Sequence, residues 1–260
     1  MRRNLVLKRM LEQNLITVSE YDFAVAEKVD LSETNNFDIF TNKSINEARG
    51  LLSLDKTALF SDNYVLCTCR DKKITDKCTE IISAYFVPGG FTEIIVASNA
   101  SGACLAYVSN SKLSDTADFL RQPGSAIKPF VCYAPAIEKK LVYPVTPILD
   151  EKIDFSGYSP ENYDKKYHGW ISVEQSLVHS YNVPAVKLLS ANGVKYSRGI
   201  AEKFGIQFDK NDNSLALALG AMSRGVTLAS LTESYMTLAR GGEHTELYFI
   251  SGIFDKNNRC

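Results

Sequence analysis

The sequence predicts an α/β domain in which a helical part packs on an antiparallel sheet. Two apolar, β-branched runs, residues 91–97 and 103–108, flank the turn-forming stretch Ser98–Gly102 and indicate a β-hairpin. Helix start signals recur downstream, most clearly the capping-box pattern Ser172–Gln175 and the cap residue Thr227. Apolar residues make up 45% of the 260 positions, which is enough for a sizeable core.

The part of the chain before the hairpin is predicted to be mainly helical. Residues 2–29 carry one apolar face, and Thr17–Glu20 has the form of a capping box that opens a second helix. Residues 30–60 are mixed and polar, and we expect a linker there with some helix near Ile45–Leu52. Three further features are predicted before the hairpin: a strand over Tyr64–Cys69, a helix over Asp71–Ser83 and a break at Pro88–Gly90.

Helices dominate the second half. A polar loop is expected over residues 110–120, and the residues from 143 to 169, rich in Pro, Asn, Asp and Tyr, are expected to be irregular. A helix should run from Ser125 to about Lys139, with Pro135 kinking or ending it. The remaining predicted elements are helices from Val173 to near His179, from Pro184 to Asn192–Gly193, over Tyr196–Phe204 and over Thr227–Arg240, and a strand over Leu247–Phe254.

Charge and cysteine content exclude several classes of function. The 29 basic and 30 acidic residues give a net charge of −1, which favours neither nucleic acid nor an acidic membrane surface as a partner. The N-terminal stretch has neither the apolar length of a transmembrane segment nor the form of a signal peptide. The cysteines are Cys67, Cys69, Cys78, Cys104, Cys132 and Cys260. Their spacing resembles neither a structural zinc site nor a disulfide framework, so we expect no metal and mostly buried free thiols.

The chemistry centres on Ser125 and Lys128. The turn Pro123–Gly124 delivers Ser125 to the start of a helix, and a lysine three residues later lies on the same helical face. This suits a serine nucleophile with a lysine base. The four residues alone favour a structural interpretation, with the serine as a helix N-cap and the lysine as a solvated charge. A second pattern downstream, Ser180-Tyr181-Asn182, favours catalysis. Ser-x-x-Lys followed by Ser-x-Asn resembles two of the three motifs of penicillin-binding proteins and class A β-lactamases, in the same order.

Longer stretches carry a more specific resemblance. They are RQPGSAIKPF (121–130), YSPENYDKKYHG (158–169), SYNVPAVKLL (180–189) and LALALGAMSRGVTLASLTESYMTLARGG (215–242). These resemble the transpeptidase domain of class A (bifunctional) penicillin-binding proteins. Residues 2–29 resemble the last helices of the glycosyltransferase domain that precedes it. The resemblance is weakest between about Leu31 and Phe91. It implies a helical remnant over residues 1–29, a linker region over 30–90 and a partial transpeptidase domain of the penicillin-binding-protein and β-lactamase fold over 91–260.

The resemblance also implies the reaction, which is peptidoglycan D,D-transpeptidation without a cofactor. A D-Ala-D-Ala stem peptide would acylate Ser125, and a β-lactam antibiotic would acylate it and remain. Lys128 would be the base; since a solvated lysine has a pKa near 10.4, it must be desolvated or placed beside another cation. The roles implied for the other site residues are proton relay for Ser180, binding of the peptide amide for Asn182, an oxyanion donor in the Ser125 N–H, and substrate contact for Gly124 and Tyr181.

The chain departs from the family pattern at two places. It contains no Lys-Thr-Gly motif, which in the family lies well beyond the Leu247–Phe254 strand. We therefore expect a sequence cut short before that motif, with the membrane anchor and most of the glycosyltransferase domain missing upstream. The family acts on the extracytoplasmic face of the bacterial membrane. In addition, Cys67–Arg70 stands where the family has Thr-Thr-Ile-Asp.

Two alternatives to transpeptidation stay open. One is a catalytically inactive domain that only binds cell-wall peptide or β-lactam. The other is a D,D-carboxypeptidase or β-lactamase-like hydrolase using the same serine. His168 and His179 have no role in the motifs and are expected at surface or packing positions. The aromatic residues Tyr158, Tyr163 and Trp170 suit a peptide groove, although such residues more often belong to the core.

Overall fold

The computed structural model describes residues 2–26, 37–61, 64–85, 90, 92–111, 119–255 and 257. The chain divides into two units, Met1–Phe37 and Asp38–Cys260. The first unit holds helices α1 (Arg2–Glu12) and α2 (Val18–Ala26). The predicted capping box opens α2: the Glu20 N–H donates to Thr17 Oγ1 at 3.2 Å, and the Thr17 N–H donates to the Glu20 carboxylate at 2.7 Å.

The second unit is a mixture of helices and short strands. Its helices are α3 (Ile39–Leu52), α4 (Lys56–Ser61), α5 (Lys72–Ala84), α6 (Ala134–Glu138), α7 (Val173–Val178), α8 (Asn182–Asn192), α9 (Val194–Glu202) and α10 (Leu228–Ala239). Its strands are β1 (Val65–Thr68), β2 (Glu93–Ala97), β3 (Cys104–Ser109), β4 (Pro147–Asp150), β5 (Gly169–Ser172) and β6 (Ile250–Phe254). The predicted helices α5, α7, α8, α9 and α10 are confirmed, with ends that agree to within about two residues.

Helix α3 begins at Ile39 rather than near Ile45, where the sequence predicted some helix within a linker. Asp38 is its N-cap and accepts a hydrogen bond from the Thr41 N–H at 2.7 Å. Phe40, only 1% exposed, packs edge-to-face on Phe249 with ring centroids 5.2 Å apart. This helix is therefore part of the core of the second unit, while the predicted domain boundaries stay a prediction.

The strands form antiparallel pairs. Strands β2 and β3 make the predicted hairpin, and β1 pairs with β6. The hairpin adjoins β6 because the Cys104 N–H donates to the Tyr248 carbonyl at 2.8 Å. Helices α3 and α5 pack on β3, and α10 packs on β2. The β2–β3 hairpin thus lies beside α10, whose Tyr235 hydroxyl donates to the Ala126 carbonyl at 2.9 Å.

The run from 143 to 169, predicted to be irregular, contains strand β4 and the first residue of β5, Gly169, so that prediction is wrong for five residues. Strand β4 pairs with β5 in the register Pro147↔Ser172 to Asp150↔Gly169. Pro147 is tolerated because it is the first residue of its strand. Composition gave no sign of this strand, since its partner lies far along the chain.

The main core surrounds α8, which is buried on nearly all sides. Ile127, Phe130, Val186, Leu189 and Leu217 are among its fully buried members. Cys78, Cys104 and Cys132 are buried free thiols, as predicted, whereas Cys67 is exposed. Among the described residues no helix has the length and apolar character needed to cross a bilayer, and no cluster of metal-ligating side chains is present. The predicted break over 88–90 and the predicted loop over 110–120 lie largely outside the described residues.

Candidate active site

Ser125 and Lys128 lie on one face of a single tight turn. Residues Gly124–Ile127 form a 3-10 helix in which the Lys128 N–H bonds the Ser125 carbonyl. Side chains three residues apart eclipse one another in this geometry, so the two groups share a face as predicted. Ser125 is exposed, whereas Lys128 is 1% exposed. The serine is open to a substrate while the lysine is shielded from water.

The segment around residues 215–226 holds this turn in place. Arg121 and Val226 exchange both backbone hydrogen bonds at 2.8 Å. The Gln122 side chain bonds the backbone of Met222, donating to its carbonyl and accepting from its N–H. These bonds fix the backbone immediately before Ser125.

Two glycines allow the backbone of residues 220–225 to lie directly against the backbone of residues 121–124. A Cβ on Gly220 would lie 2.4 Å from the backbone nitrogen of Gly124, and one on Gly225 would lie 2.4 Å from the Arg121 carbonyl oxygen. Both glycines have φ of +85°. The stretch LALALGAMSRGV, quoted for its family resemblance, therefore supports the turn that presents Ser125.

The helix that follows Lys128 does not end at Pro135. Residues Pro129–Tyr133 form a π-helical turn, and the Ala134 N–H bonds the Pro129 carbonyl. Pro135 then falls in the first turn of α6, where its missing N–H leaves no intrahelical bond unmade. The Asn192 Nδ2 donates to the Cys132 carbonyl at 2.8 Å and satisfies that group from outside the helix. The sequence predicted that Pro135 would kink or end the helix. An end at Pro135 is wrong, because helical backbone continues through this residue to Glu138.

The Lys128 ammonium points at the Ser180–Asn182 corner. Its Nζ lies 2.5 Å from the Ser180 carbonyl, 3.1 Å from Ser180 Oγ, 3.3 Å from the Tyr181 carbonyl and 2.7 Å from Asn182 Oδ1. An ammonium has three N–H donors, so these oxygens satisfy all of them. Burial lowers the pKa of Lys128 to about 8. At neutral pH the Lys128 side chain is then the neutral amine, the form that a general base requires, in roughly a tenth of the molecules.

The corner itself joins α7 to α8. The Ser172–Gln175 capping box is present with both bonds at 3.0 Å, and α7 ends at Val178 with His179 as its C-cap. Ser180 has φ of +54°, which turns the chain toward Lys128. Asn182 is the first residue of α8 and does not cap it; its Oδ1 accepts from Lys128 and its Nδ2 donates to the Glu161 carbonyl at 2.7 Å.

The structure thus brings the predicted site residues together, and one expected contact among the described residues, the side-chain hydrogen bond between Ser125 and Lys128, is missing. Lys128, Ser180, Tyr181 and Asn182 make direct contact, and Gly124 forms the turn before Ser125. Within the described part of the chain, the Ser125 hydroxyl makes no side-chain hydrogen bond to Lys128. Such bonds are often long in unliganded enzymes and tighten with substrate.

Sequence reasoning missed the residues that surround the corner. His168 stacks on Tyr181 with centroids 4.1 Å apart, and its Nδ1 lies 2.8 Å from Asp150 Oδ2. Asn162 is buried between Asp150 and α8. The stretch YSPENYDKKYHG contained the signal, because two of these three residues lie within it.

The aromatic residues divide between the surface and the core. Tyr158 packs against the main core, while Tyr163 is 98% and Trp170 70% exposed. The expectation of core positions is therefore wrong for Tyr163 and Trp170. His179, expected at a surface or packing position, is exposed and stacks on Tyr181 at 5.4 Å.

Comparison with known proteins decides the family. Residues 93–259 match the family described as Penicillin binding protein transpeptidase domain. The chain belongs to this family. It is 30% identical over 270 residues to penicillin-binding protein 1F of Bacillus subtilis (strain 168), covering 98% of this chain and 38% of that protein. It is 26% identical over 304 residues to penicillin-binding protein 1A of Clostridium botulinum (strain Langeland / NCTC 10281 / Type F), covering 99% of this chain and 37% of that protein.

Solved structures share the fold. PonA1 from Mycobacterium tuberculosis in complex with penicillin V superposes with a TM-score of 0.77 at 18% identity, covering 85% of this chain and 63% of that chain. Penicillin-binding protein 1A from Haemophilus influenzae gives a TM-score of 0.61 at 20% identity, covering 99% of this chain and 54% of that chain. The predicted fold class and the resemblance to penicillin-binding proteins are confirmed. The chain spans less than two fifths of the length of the two sequence relatives.

Proposed function

We propose that this penicillin-binding-protein domain is a serine D,D-transpeptidase of peptidoglycan. The observation that carries the proposal is the Lys128 ammonium, buried and hydrogen-bonded to Ser180 and Asn182 beneath an exposed Ser125. A buried lysine with a lowered pKa is the state that a general base needs. The substrate class is a stem peptide that ends in D-Ala-D-Ala, and the acceptor is an amine of a neighbouring strand.

The first half of the reaction follows from these positions. Neutral Lys128 takes the proton of the Ser125 hydroxyl, and the serine oxygen attacks the carbonyl carbon of the penultimate D-Ala. The backbone N–H of Ser125, in the first turn of its helix, is a donor for the oxyanion. Ser180 Oγ, 3.1 Å from Lys128 Nζ, relays the proton to the leaving nitrogen. The C–N bond breaks, D-Ala leaves and an ester to Ser125 remains.

The second half reverses these roles. An acceptor amine attacks the ester carbonyl, its proton returns through Ser180 and Lys128 to the Ser125 oxygen, and a new amide is released. Asn182 presents an amide side chain at the same corner, suited to hold the peptide backbone. A β-lactam would form the same ester but cannot release its leaving group. The complex of PonA1 with penicillin V supports this second ligand for the fold.

We propose the extracytoplasmic face of the bacterial membrane as the place of action, since peptidoglycan lies there. The sequence relatives that are named penicillin-binding proteins support this location. The proposed partners are the stem peptide and β-lactam antibiotics.

A domain that binds penicillin or cell-wall peptide without acylation is the second candidate. One observation favours it: the Lys128 donors are all engaged at the corner, and none reaches the Ser125 hydroxyl among the described contacts. A hydrolase that passes the acyl group to water, as a D,D-carboxypeptidase does, is the third.

Covalent labelling separates these candidates. The chain is incubated with a fluorescent penicillin and read by intact mass, with Ser125→Ala beside Ser190→Ala, which removes an exposed serine hydroxyl from α8. We expect one adduct on the wild type and on Ser190→Ala, and none on Ser125→Ala. A folded wild type that gains no adduct would refute acyl transfer and leave the binding domain. A D-Ala-D-Ala peptide supplied with an acceptor amine then yields a new amide for a transpeptidase and a free acid for a hydrolase.

A further inference from the structure

Asn162 lies outside the proposed catalytic set but contacts the backbone of its corner. It is 1% exposed, and each side-chain atom that can hydrogen-bond is used. Its Oδ1 accepts from the Asn182 N–H at 2.8 Å and from the Val183 N–H at 3.3 Å. Its Nδ2 donates to Asp150 Oδ2 and to the Lys166 carbonyl, both at 2.8 Å.

These bonds replace a cap that α8 lacks. The first N–H groups of a helix have no partner within the helix and need an acceptor from elsewhere. Tyr181 occupies the N-cap position and gives no side-chain bond. Asn162 supplies the acceptor from 20 residues upstream, and in doing so fixes where Asn182 begins the helix.

The side-chain nitrogen of Asn162 is anchored on the β4–β5 strand pair. Asp150 is 1% exposed at the end of β4, where it pairs with Gly169 of β5. The same Oδ2 atom that accepts from Asn162 also accepts from the His168 N–H at 3.0 Å. The His168 ring stacks on Tyr181. The corner is therefore tied to the β4–β5 pair by one hydrogen-bonded path and one stacked ring.

We propose that Asn162 is a positioning residue that holds the Ser180–Asn182 corner against the Lys128 ammonium. It acts through the corner, because its side chain bonds the first N–H groups of α8, the Asp150 carboxylate and the Lys166 carbonyl, and makes no bond to Lys128. Losing it frees the start of α8 and lets the Ser180 and Asn182 oxygens move away from Lys128. The effect on acylation rests on the proposed function, whereas the effect on the corner does not.

The test uses three variants of the full chain. Asn162→Ala removes both the acceptor and the donor. Asn162→Asp keeps the acceptor for α8 but sets a carboxylate against Asp150. Asp71→Ala is the matched control, since it removes the side-chain cap of α5, a bond of 3.0 Å to the Ile74 N–H away from the corner. The midpoint of thermal unfolding is measured for each variant. Amide hydrogen exchange over residues 180–186 and the rate of labelling by a fluorescent penicillin are then measured well below the lowest of these midpoints.

We expect Asn162→Ala to lose exchange protection at the Asn182 and Val183 amides and to label at least about tenfold more slowly, because small displacements of catalytic groups have large effects on rate. Asp71→Ala should keep both the protection and the rate, even with a similar fall in unfolding midpoint. A labelling rate and exchange protection for Asn162→Ala equal to those of Asp71→Ala would overturn the proposal.

The acidic variant adds a readout that a merely structural role would not move. Two facing carboxyls share a proton more readily as pH falls, and the protonated form again donates to Asp150. The titratable groups around this position are Asp150, His168 and Asp164, together with Glu161 beside it in sequence and Lys128 on the other side of Asn182. The labelling rate of Asn162→Asp, divided by the wild-type rate at the same pH, should therefore rise as pH is lowered, while the ratio for Asn162→Ala stays flat. A wild type that does not label refutes the proposed function, and the exchange data then still decide whether Asn162 holds the corner.

Discussion

Replacing Gly220 by alanine should displace the turn that presents Ser125. The added Cβ would lie 2.4 Å from the backbone nitrogen of Gly124 and 2.5 Å from its Cα and its carbonyl oxygen. Ordinary contact begins near 3.4 Å, so the Gly124 backbone must move by about 1 Å. Ser125 is the next residue and moves with it.

The expected loss of stability has two parts. At φ of +85° an alanine costs about 1 to 2 kcal/mol relative to glycine. The movement of the Gly124 backbone that makes room for the added Cβ costs about another 1 to 3 kcal/mol. The total is about 2 to 5 kcal/mol. A shift of about 1 Å at a nucleophile also lowers its reactivity by on the order of a hundredfold.

Gly241→Ala is the matched control, because Gly241 has φ of +71° and no heavy atom within 4 Å of the added Cβ. It should lose only the first part of the stability. Urea unfolding and the rate of labelling by a fluorescent penicillin are measured for both variants. Equal unfolding free energies, together with wild-type labelling by Gly220→Ala, would refute the idea that this contact positions the nucleophile.

Two further predictions concern the protonation of Lys128 and the contribution of α3 to the core. Since burial lowers the pKa of Lys128 from 10.5 to about 8, the neutral amine accumulates as pH rises through that value. Labelling should therefore accelerate up to about pH 8 and level off above it, and Lys128→Arg should not label because a guanidinium stays charged; a flat pH profile would contradict this. Phe40→Ala should lower the free energy of unfolding by about 3 to 5 kcal/mol, whereas Leu51→Ala on the exposed side of α3 should lower it by less than about 1 kcal/mol. Circular dichroism in urea measures both, and similar losses would mean that α3 is not part of the core.

The corner between α7 and α8 was predictable because its signals are local. The Ser172–Gln175 capping box starts one helix, and Gly193 ends the next. Each signal acts within about four residues of the bond that it makes, so the sequence pattern contains the cause. Ser180 falls between the two helices by simple counting. The start of α3 has an equally local signal, since its N-cap Asp38 directly precedes the apolar residues Ile39 and Phe40.

The partners of Lys128 were not predictable from spacing. Helical periodicity places its side chain beside Ser125, yet its amine bonds Ser180, which lies 52 residues away. A buried ammonium needs several oxygen acceptors at once, and a single serine hydroxyl cannot supply them. The corner supplies two carbonyls, a hydroxyl and an amide oxygen. Only the resemblance connected the two stretches, and it did so without giving the geometry.

The nucleophile helix shows why tertiary contacts decide what a proline does. Between Gly124 and Glu138 the backbone passes through 3-10, π and α geometry, and Pro135 is accommodated by the change of hydrogen-bond register. That change would be unfavourable in an isolated helix, because π turns are rare and need support. Here Asn192 of α8 bonds a carbonyl of the π turn. Helix α8 therefore supports the site twice, since its first residue binds Lys128 and its last residue stabilises the helix on which Lys128 lies.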